Sequence, residues 1–454
     1  MEKDTTIGKA KIAGLFDPGT FAEIGAYLKR ESGERVGVVC GYGAINGKLT
    51  YAFAQDSDRQ KGAFDALQAK KIETVYEMAL KNGAPVIGLF DSIGAYVSDG
   101  AGALSAYGSL LASVSRASGT VPQIALISGV CSGMAATAAA MFDAVITVKE
   151  QSKLFVNAPF LLGREVGTAD YAAENGLSTV NAASEVEAFA IARELISMLP
   201  SNCEEGVFTE ESADDANRLT LVNGLSGKAL CEAVADCGRF VELGAAYAKE
   251  MVTGLAKVGG VCCGFVANDS AVNGGVLTGE GAKKAAKLIS FCDSFSIPVV
   301  TLTDSEGIAV SRAEEGSPLA AQLGKLAMAY ATAETAKVTV VVGKAYGAAF
   351  TLMGSRALGA DMVYALPEAS VSVMAPESAV AFLWNNRITA TTTRADLVEE
   401  WEKTCAAPEA AAADGSIDDV ISAAELRSRI CSAVYMLLVK SGTASARKHC
   451  NLPL

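Results

Sequence analysis

Two stretches of this 454-residue sequence have the composition of a turn built to hold a ligand: ISGVCSGMAATAAA in the first half and VVGKAYGAAFTLMG in the second. Each runs from an apolar, strand-like segment through a glycine-rich turn into an alanine-rich helix. The first-turn amides of such a helix lack intrahelical partners and point along its axis, toward the positive end of the dipole. Glycine and alanine leave those amides open. A turn of this kind can stabilise a developing oxyanion, such as the enolate of a thioester or of a ureido carbonyl, and one donor in a dry site is worth roughly 3–4 kcal/mol. Small residues at such places also permit close helix–strand packing, but their recurrence at matching places favours a ligand.

Other residues admit two readings. Asp91-Ser92 and Asp304-Ser305, at strand ends, suit either a crevice above a parallel sheet or a helix N-cap. Lys70 and Lys71 suit either a solvated helix face or an anchor for a phosphate-bearing ligand.

What is missing narrows the chemistry. The single histidine, His449, lies near the end of the chain, which argues against a Ser-His-Asp triad, a Cys-His pair or a histidine-ligated metal. No GxxxxGK[ST] loop and no GxGxxG after a strand occurs, so neither an ATP nor a dinucleotide site is expected. Eleven cysteines without a CxxC are expected to be buried, reduced thiols. A net charge of -13 and a pI near 4.8 exclude nucleic acid as a natural partner. The polar start at Met1–Asp4 lacks the apolar run of a signal peptide, and a cytoplasmic location is expected.

The elements that must position these residues come as an internal duplication. APVIGLFDSIGA (84–95) matches IPVVTLTDSEGI (297–308), with Pro85/Pro298, Asp91/Asp304, Ser92/Ser305 and Gly94/Gly307 at an offset of 213. Gly129/Gly343, Gly133/Gly347 and Ala135/Ala349 follow at 214, and both units close on VNAP (156–159) and VMAP (373–376). Upstream, Asp17, Gly19, Phe21, Glu23 and Gly25 answer Asp236, Gly238, Phe240, Glu242 and Gly244 at 219. Matches in this order mean duplication.

Short apolar runs alternating with alanine-rich helical stretches predict α/β halves with largely parallel sheets. The uncharged stretch 117–142 is long enough to span a bilayer. Its second copy carries Lys344 and Arg356, which would be costly in lipid, so both copies are expected as soluble core: a strand at 123–128, a tight turn and a helix. The acidic stretch 201–227 reads as a linker between domains at 10–200 and 228–454.

At these residues the sequence resembles the carboxyltransferase family of biotin-dependent acyl-CoA carboxylases and decarboxylases, from about residue 10 to the end. The matching passages include FDPGTFAEIGAYL, GAPVIGLFDSIGA, KVTVVVGKAYGAAF and the closing RKHCNLPL. The resemblance implies an α/β chain of two tandem crotonase-like (ClpP/crotonase) domains, assembled as a homohexamer, a dimer of trimers. The amino-terminal domain would hold acyl-CoA and the carboxy-terminal domain carboxybiotin. By motif, GPCAGG puts one oxyanion pair at Gly133 and Met134, and KAYGGAY puts the other at Ala348 and Ala349. It further implies Gly62, Ala63, Lys70, Lys71, Gly94 and Ala95 around the CoA thioester, and Tyr346, Thr351, Ser305 and Gly307 around the biotin and acyl pocket.

The biotin would arrive on a separate biotin carboxyl carrier protein, and no metal is expected in the chain. A biotin carboxylase partner would make it a carboxylase; a membrane decarboxylase subunit would make it a decarboxylase, peripheral to that complex. Propionyl-CoA/methylmalonyl-CoA, then acetyl-CoA/malonyl-CoA, are the expected substrates. The sequence departs from the family where DSGGARIQEG becomes DSIGAYVSDG (91–100) and DVPGFLPG becomes DSEGIAVS (304–311). Two other readings stand beside this one: a biotin-independent crotonase-like hydratase or decarboxylase and, motivated by those departures, a non-catalytic hexameric scaffold.

Overall fold

The computed structural model describes residues 6–30, 32–440 and 453. Two compact units meet in sequence between Gly206 and Val207, and each is built on one eight-stranded sheet. In the first, the strands are β1 (Ala22–Ile24), β2 (Val38–Ile45), β3 (Lys48–Gln55), β4 (Val86–Ser92), β5 (Gln123–Ser132), β6 (Ala144–Val148), β7 (Lys153–Phe155) and β8 (Val180–Ala182). Their order is β1-β2-β3-β4-β5-β6-β8, with β7 set against β5. In the second, β9 (Phe240–Glu242), β10 (Met251–Val258), β11 (Val261–Asn268), β12 (Val299–Ser305), β13 (Lys337–Tyr346), β14 (Met362–Ala365), β15 (Ser370–Ser372) and β16 (Asp419–Val420) repeat that order, with β15 set against β13. The expected duplication is therefore present strand for strand.

The local chemistry repeats as well. β2 and β3 turn on Asn46-Gly47 (φ 50° and 79°), and β10 and β11 turn on Gly259-Gly260 (φ 59° and 80°). Two successive positive φ values match the twist of a two-residue hairpin. In the first unit the Asp17 carboxylate accepts the Asn46 and Gly47 amides at 3.1 and 2.9 Å. In the second, Asp236 accepts those of Gly259 and Gly260 at 2.8 and 2.7 Å.

From β3 onward the strands of the first unit pair in parallel, and the central strands are buried on both faces. This is why PVIGLF and PVVTLT read as unbroken apolar runs. Helix α1 (Ile7–Leu15) starts on a Thr6 cap. Helix α2 (Ala66–Asn82) starts on an Asp65 cap and ends on left-handed Gly83. Helix α3 (Ala101–Ala117) precedes β5, and the short α4 (Met134–Ala140) follows it. Phe53, Phe90 and Phe142 meet edge to face at 5.5 and 5.6 Å in the core beneath.

One difference from expectation matters for the site. β5 was expected over 123–128 and runs on to Ser132. Its register against β4 slips between Phe90 and Ser92, and beyond the slip Val130, Cys131 and Ser132 pair with β7. The Asp91 carboxylate stitches the slip by accepting the Val130 amide at 3.2 Å, and β12 and β13 repeat the slip with Asp304 and the Lys344 amide at 2.8 Å. Asp91 and Asp304 thus brace the slipped strands rather than cap helices.

The acidic stretch 201–227 is divided between the units. From Val207 on it packs into the second: Arg218 pairs with Asp214 at 2.9 Å, and the Thr220 hydroxyl donates to the Ala423 carbonyl at 3.0 Å. Among the described residues no helix is long and apolar enough to cross a membrane. No disulfide joins the ten described cysteines, most of which are buried.

Candidate functional site

At the end of β5, Gly133 takes φ 62° and ψ −125°, a conformation that side chains disfavour, and its amide donates to the Phe155 carbonyl of β7 at 2.9 Å. At the end of β13, Gly347 takes φ 56° and ψ −135° and donates to the Ser372 carbonyl of β15 at 2.8 Å. Each glycine turns the chain sharply from strand into helix. Met134 and Ala135 open α4; Ala348 and Ala349 open the helix Ala348–Leu352.

As first and second helical residues, all four carry amides with no carbonyl four positions back. No backbone carbonyl among the described residues takes them up. These helices are too short for a large macrodipole, so the donors themselves are the chemistry. The expectation of Gly133 and Met134 as the first pair needs correction, because the Gly133 amide is committed to Phe155. The open pair is Met134 and Ala135, which are also the counterparts of Ala348 and Ala349 at the offset of 214. Consistent use of that offset along the sequence would have found Ala135.

Beside the first turn two loops are zipped together. The Phe64 amide donates to Gly94 and the Tyr96 amide to Phe64, both at 2.8 Å, and the Ile93 amide donates to Lys61 at 3.2 Å. Gly62 lies directly under the Asp91 carbonyl, with no room for a side chain. A Cβ on Gly94 would stand 3.4 Å from the Ser132 hydroxyl, so this loop borders the turn. Gly62, Ala63, Gly94 and Ala95 are thereby gathered next to Gly133, Met134 and Ala135.

Arg30, which the sequence did not single out, ties the two loops from outside. Its guanidinium pairs with Asp65 and lies over the Tyr96 ring, 4.9 Å from the centroid. Tyr96 stands where the family motif carries arginine.

The lysine pair is separated. Lys70 is exposed on α2. Lys71 is only 6% exposed, and its ammonium donates to the Val38 carbonyl at 2.9 Å and to Glu23 at 3.4 Å. Lys71 is therefore a buried brace between α2 and the sheet, not a ligand contact, and Lys284 repeats the arrangement on the Tyr247 and Met251 carbonyls at 2.8 and 2.6 Å.

In the second unit a cavity of about 510 Å³ opens at the turn, lined by Gly347, Ala348, Phe350, Thr351, Val371, Ser372, Val373 and, from the far wall, Cys405, Ala410, Ala411, Asp414 and Ser416. Thr351 is part of that lining. Ser305 is not: it is fully buried, and its hydroxyl folds back on Gly307, donating to that carbonyl at 3.2 Å while receiving the Gly307 amide at 3.3 Å. Its place is to shape the loop, as Ser92 shapes Gly94. Gly307 (φ 131°) lies against the Tyr346 carbonyl, and Tyr346 itself is largely buried. Glu306 pairs with Lys344 at 2.7 Å, and that hydrogen bond holds the ammonium above its ordinary pKa. His449 and the RKHCNL part of the closing motif lie outside the described residues.

With this geometry in place, four similarities stand out. The carboxyl transferase domain model matches residues 3–452. The chain is 34% identical to a putative propionyl-CoA carboxylase beta chain of Bacillus subtilis, over 100% of this chain and 94% of that one. It is also 34% identical to the methylmalonyl-CoA carboxyltransferase 12S subunit of Propionibacterium freudenreichii subsp. shermanii, over 100% of this chain and 93% of that one. A transcarboxylase 12S crystal structure, described as a hexamer with methylmalonyl-coenzyme A and methylmalonic acid bound, superposes with a TM-score of 0.92 at 33% identity, covering 98% of this chain and 92% of that one.

Proposed function

The chain belongs to the carboxyl transferase family, and from that premise we propose that it moves a carboxyl group between carboxybiotin, carried on a separate protein, and the α-carbon of a short acyl-CoA. The observation that carries this reading is the pair of equivalent turns, one per unit, each with two adjacent open amides. Two reactants each pass through an enolate in such a transfer, and each enolate oxygen needs its own donors.

In this reading the amino-terminal unit takes the thioester. The Met134 and Ala135 amides hold its carbonyl oxygen as the α-carbon gives up its proton, while the 61–66 and 93–96 loops flank the pantetheine arm and exposed Lys70 meets the nucleotide phosphates. The carboxy-terminal unit takes the biotin ring, for which a cavity of about 510 Å³ beside Ala348 is of suitable size. There the Ala348 and Ala349 amides would hold the ureido oxygen. When bound, carboxybiotin would supply the carboxyl group as its N–C bond breaks, and the freed ring nitrogen would take the α-proton, so no side-chain base is needed. The names of the relatives favour propionyl-CoA and methylmalonyl-CoA; acetyl-CoA and malonyl-CoA are the next pair to try. The hexamer described for transcarboxylase 12S supports a homohexamer here, working in the cytoplasm with a biotin carrier and either a biotin carboxylase or a membrane decarboxylase subunit.

The test is loss of CO2 from methylmalonyl-CoA and malonyl-CoA by the purified chain, with and without a biotinylated carrier. Carrier-dependent decarboxylation is expected. Equal rates without biotin would favour a stand-alone crotonase-like decarboxylase. A folded hexamer with a competent carrier and no turnover would favour a scaffold.

A further inference from the structure

We propose that Met134 sets the upper size of the acyl group, acting as the wall of the acyl pocket in the amino-terminal unit. This rests on the assignment of that unit's turn to the thioester. A residue whose amide holds the thioester oxygen has its own Cβ roughly 2.5 Å from that nitrogen, so its side chain must lie beside the bound acyl group. Met134 is 40% exposed, and its thioether is left out of the core that takes Ala135, Ala136, Ala138 and Ala139 below it.

The duplication indicates where such a side chain stands. Ala348, the counterpart of Met134, lines the cavity of the second unit, and Thr351, three residues on, lines it too. Thr137 is the counterpart of Thr351 at the offset of 214, and positions three apart share a helix face. Met134 and Thr137 therefore form the equivalent wall of the first unit, with an unbranched thioether where the second unit has a methyl group and where the family motif GPCAGG has glycine. That side chain occupies space that the fourth and later acyl carbons, or an α-substituent larger than methyl, would need. Methionine is pliable, so the exclusion is graded rather than absolute. The ligand class is a CoA thioester of two or three acyl carbons.

The test is a binding ladder of acetyl-, propionyl-, butyryl- and hexanoyl-CoA, measured by calorimetry on the assembled protein and on Met134→Ala and Met134→Leu, with methylmalonyl-CoA and ethylmalonyl-CoA decarboxylation run in parallel. Each added methylene in an apolar pocket is worth about 10-fold or more. Met134→Ala is expected to raise affinity for butyryl- and hexanoyl-CoA at least 10-fold relative to acetyl-CoA, and Met134→Leu to keep the wild-type order. An unchanged ladder in a folded, thioester-binding Met134→Ala protein would overturn the proposal. A shifted ladder without decarboxylation by any form would uphold it and count against carboxyl transfer. No thioester binding by any form would overturn both.

Discussion

The Asp304 carboxylate fills the space in which a side chain at Gly343 would lie, and it accepts the amide of the next residue, Lys344, at 2.8 Å. Asp91 and Gly129 repeat the fit in the first unit. The aspartate is what lets β13 slip its register and carry Tyr346 and Gly347 away from β14 toward β15. Gly343→Ala should therefore destabilise the protein by about 1–3 kcal/mol through overpacking. Adding Asp304→Ala should recover part of that loss, because it removes the atoms that collide. Denaturant unfolding of the two single variants and the double variant measures the coupling; strict additivity would refute the fit.

Proline at the first helical position separates the open amides from the fold that carries them. It suits a helix start, where the missing N–H has no intrahelical partner, so Met134→Pro and Ala348→Pro should both fold. Each deletes one donor to an enolate oxygen and should lower kcat about 10²–10³-fold. The partial reactions tell them apart. Ala348→Pro should suppress carrier-dependent decarboxylation of carboxybiotin even without acyl-CoA, whereas Met134→Pro should affect only steps on the thioester.

Much of this was legible because the chain contains its own comparison. The repeated DS-x-G segments and glycine pairs located both turns, and the unbroken apolar runs located the central strands. Pairing in three dimensions was not legible. That the Gly133 amide is consumed by Phe155 depends on β7 docking against the extended end of β5, and no local pattern announces that contact. Ser305 looked like a pocket residue because it stands at a strand end within a family motif, yet its hydroxyl serves its own loop. Arg30 escaped notice because its two partners, Asp65 and Tyr96, are distant in sequence and meet only when the loops zip together.

The adjacent lysines make a sharp contrast. Lys71→Ala removes an ammonium that braces buried carbonyl and carboxylate oxygens, leaving Glu23 and the Val38 carbonyl underpaired, at a cost of about 1–3 kcal/mol. Lys70→Ala touches only the surface of α2. It should leave the unfolding midpoint unchanged and raise KM for the CoA thioester several-fold, more so at low salt. Equal effects of the two variants on KM, with no difference in stability, would reverse these roles.

In the second unit Arg427 is completely buried, donating to Asp236 at 2.7 Å and to the Val234 carbonyl at 2.6 Å, with Asp214 at 3.6 Å. Burial alone would raise the Asp236 pKa. The Gly260 amide, Arg427, the Ser212 hydroxyl and the Gly259 amide outweigh it and hold the group below the usual aspartate value. Asp214 is likewise held low, against its own burial, by Arg218, the Cys237 amide and Arg427. A carboxylate with a depressed folded pKa binds fewer protons folded than unfolded. Its contribution is thus complete above the unfolded value of about 3.9 and is lost as pH falls through the folded one. Arg427→Met strands these carboxylates in the interior and should cost about 3–5 kcal/mol at pH 7. The gap between wild type and variant should narrow as pH falls, because without Arg427 the variant's folded aspartates take up protons at a higher pH than those of the wild type. Urea unfolding from pH 7 to pH 3 measures it; a gap independent of pH would mean that Arg427 acts through packing alone.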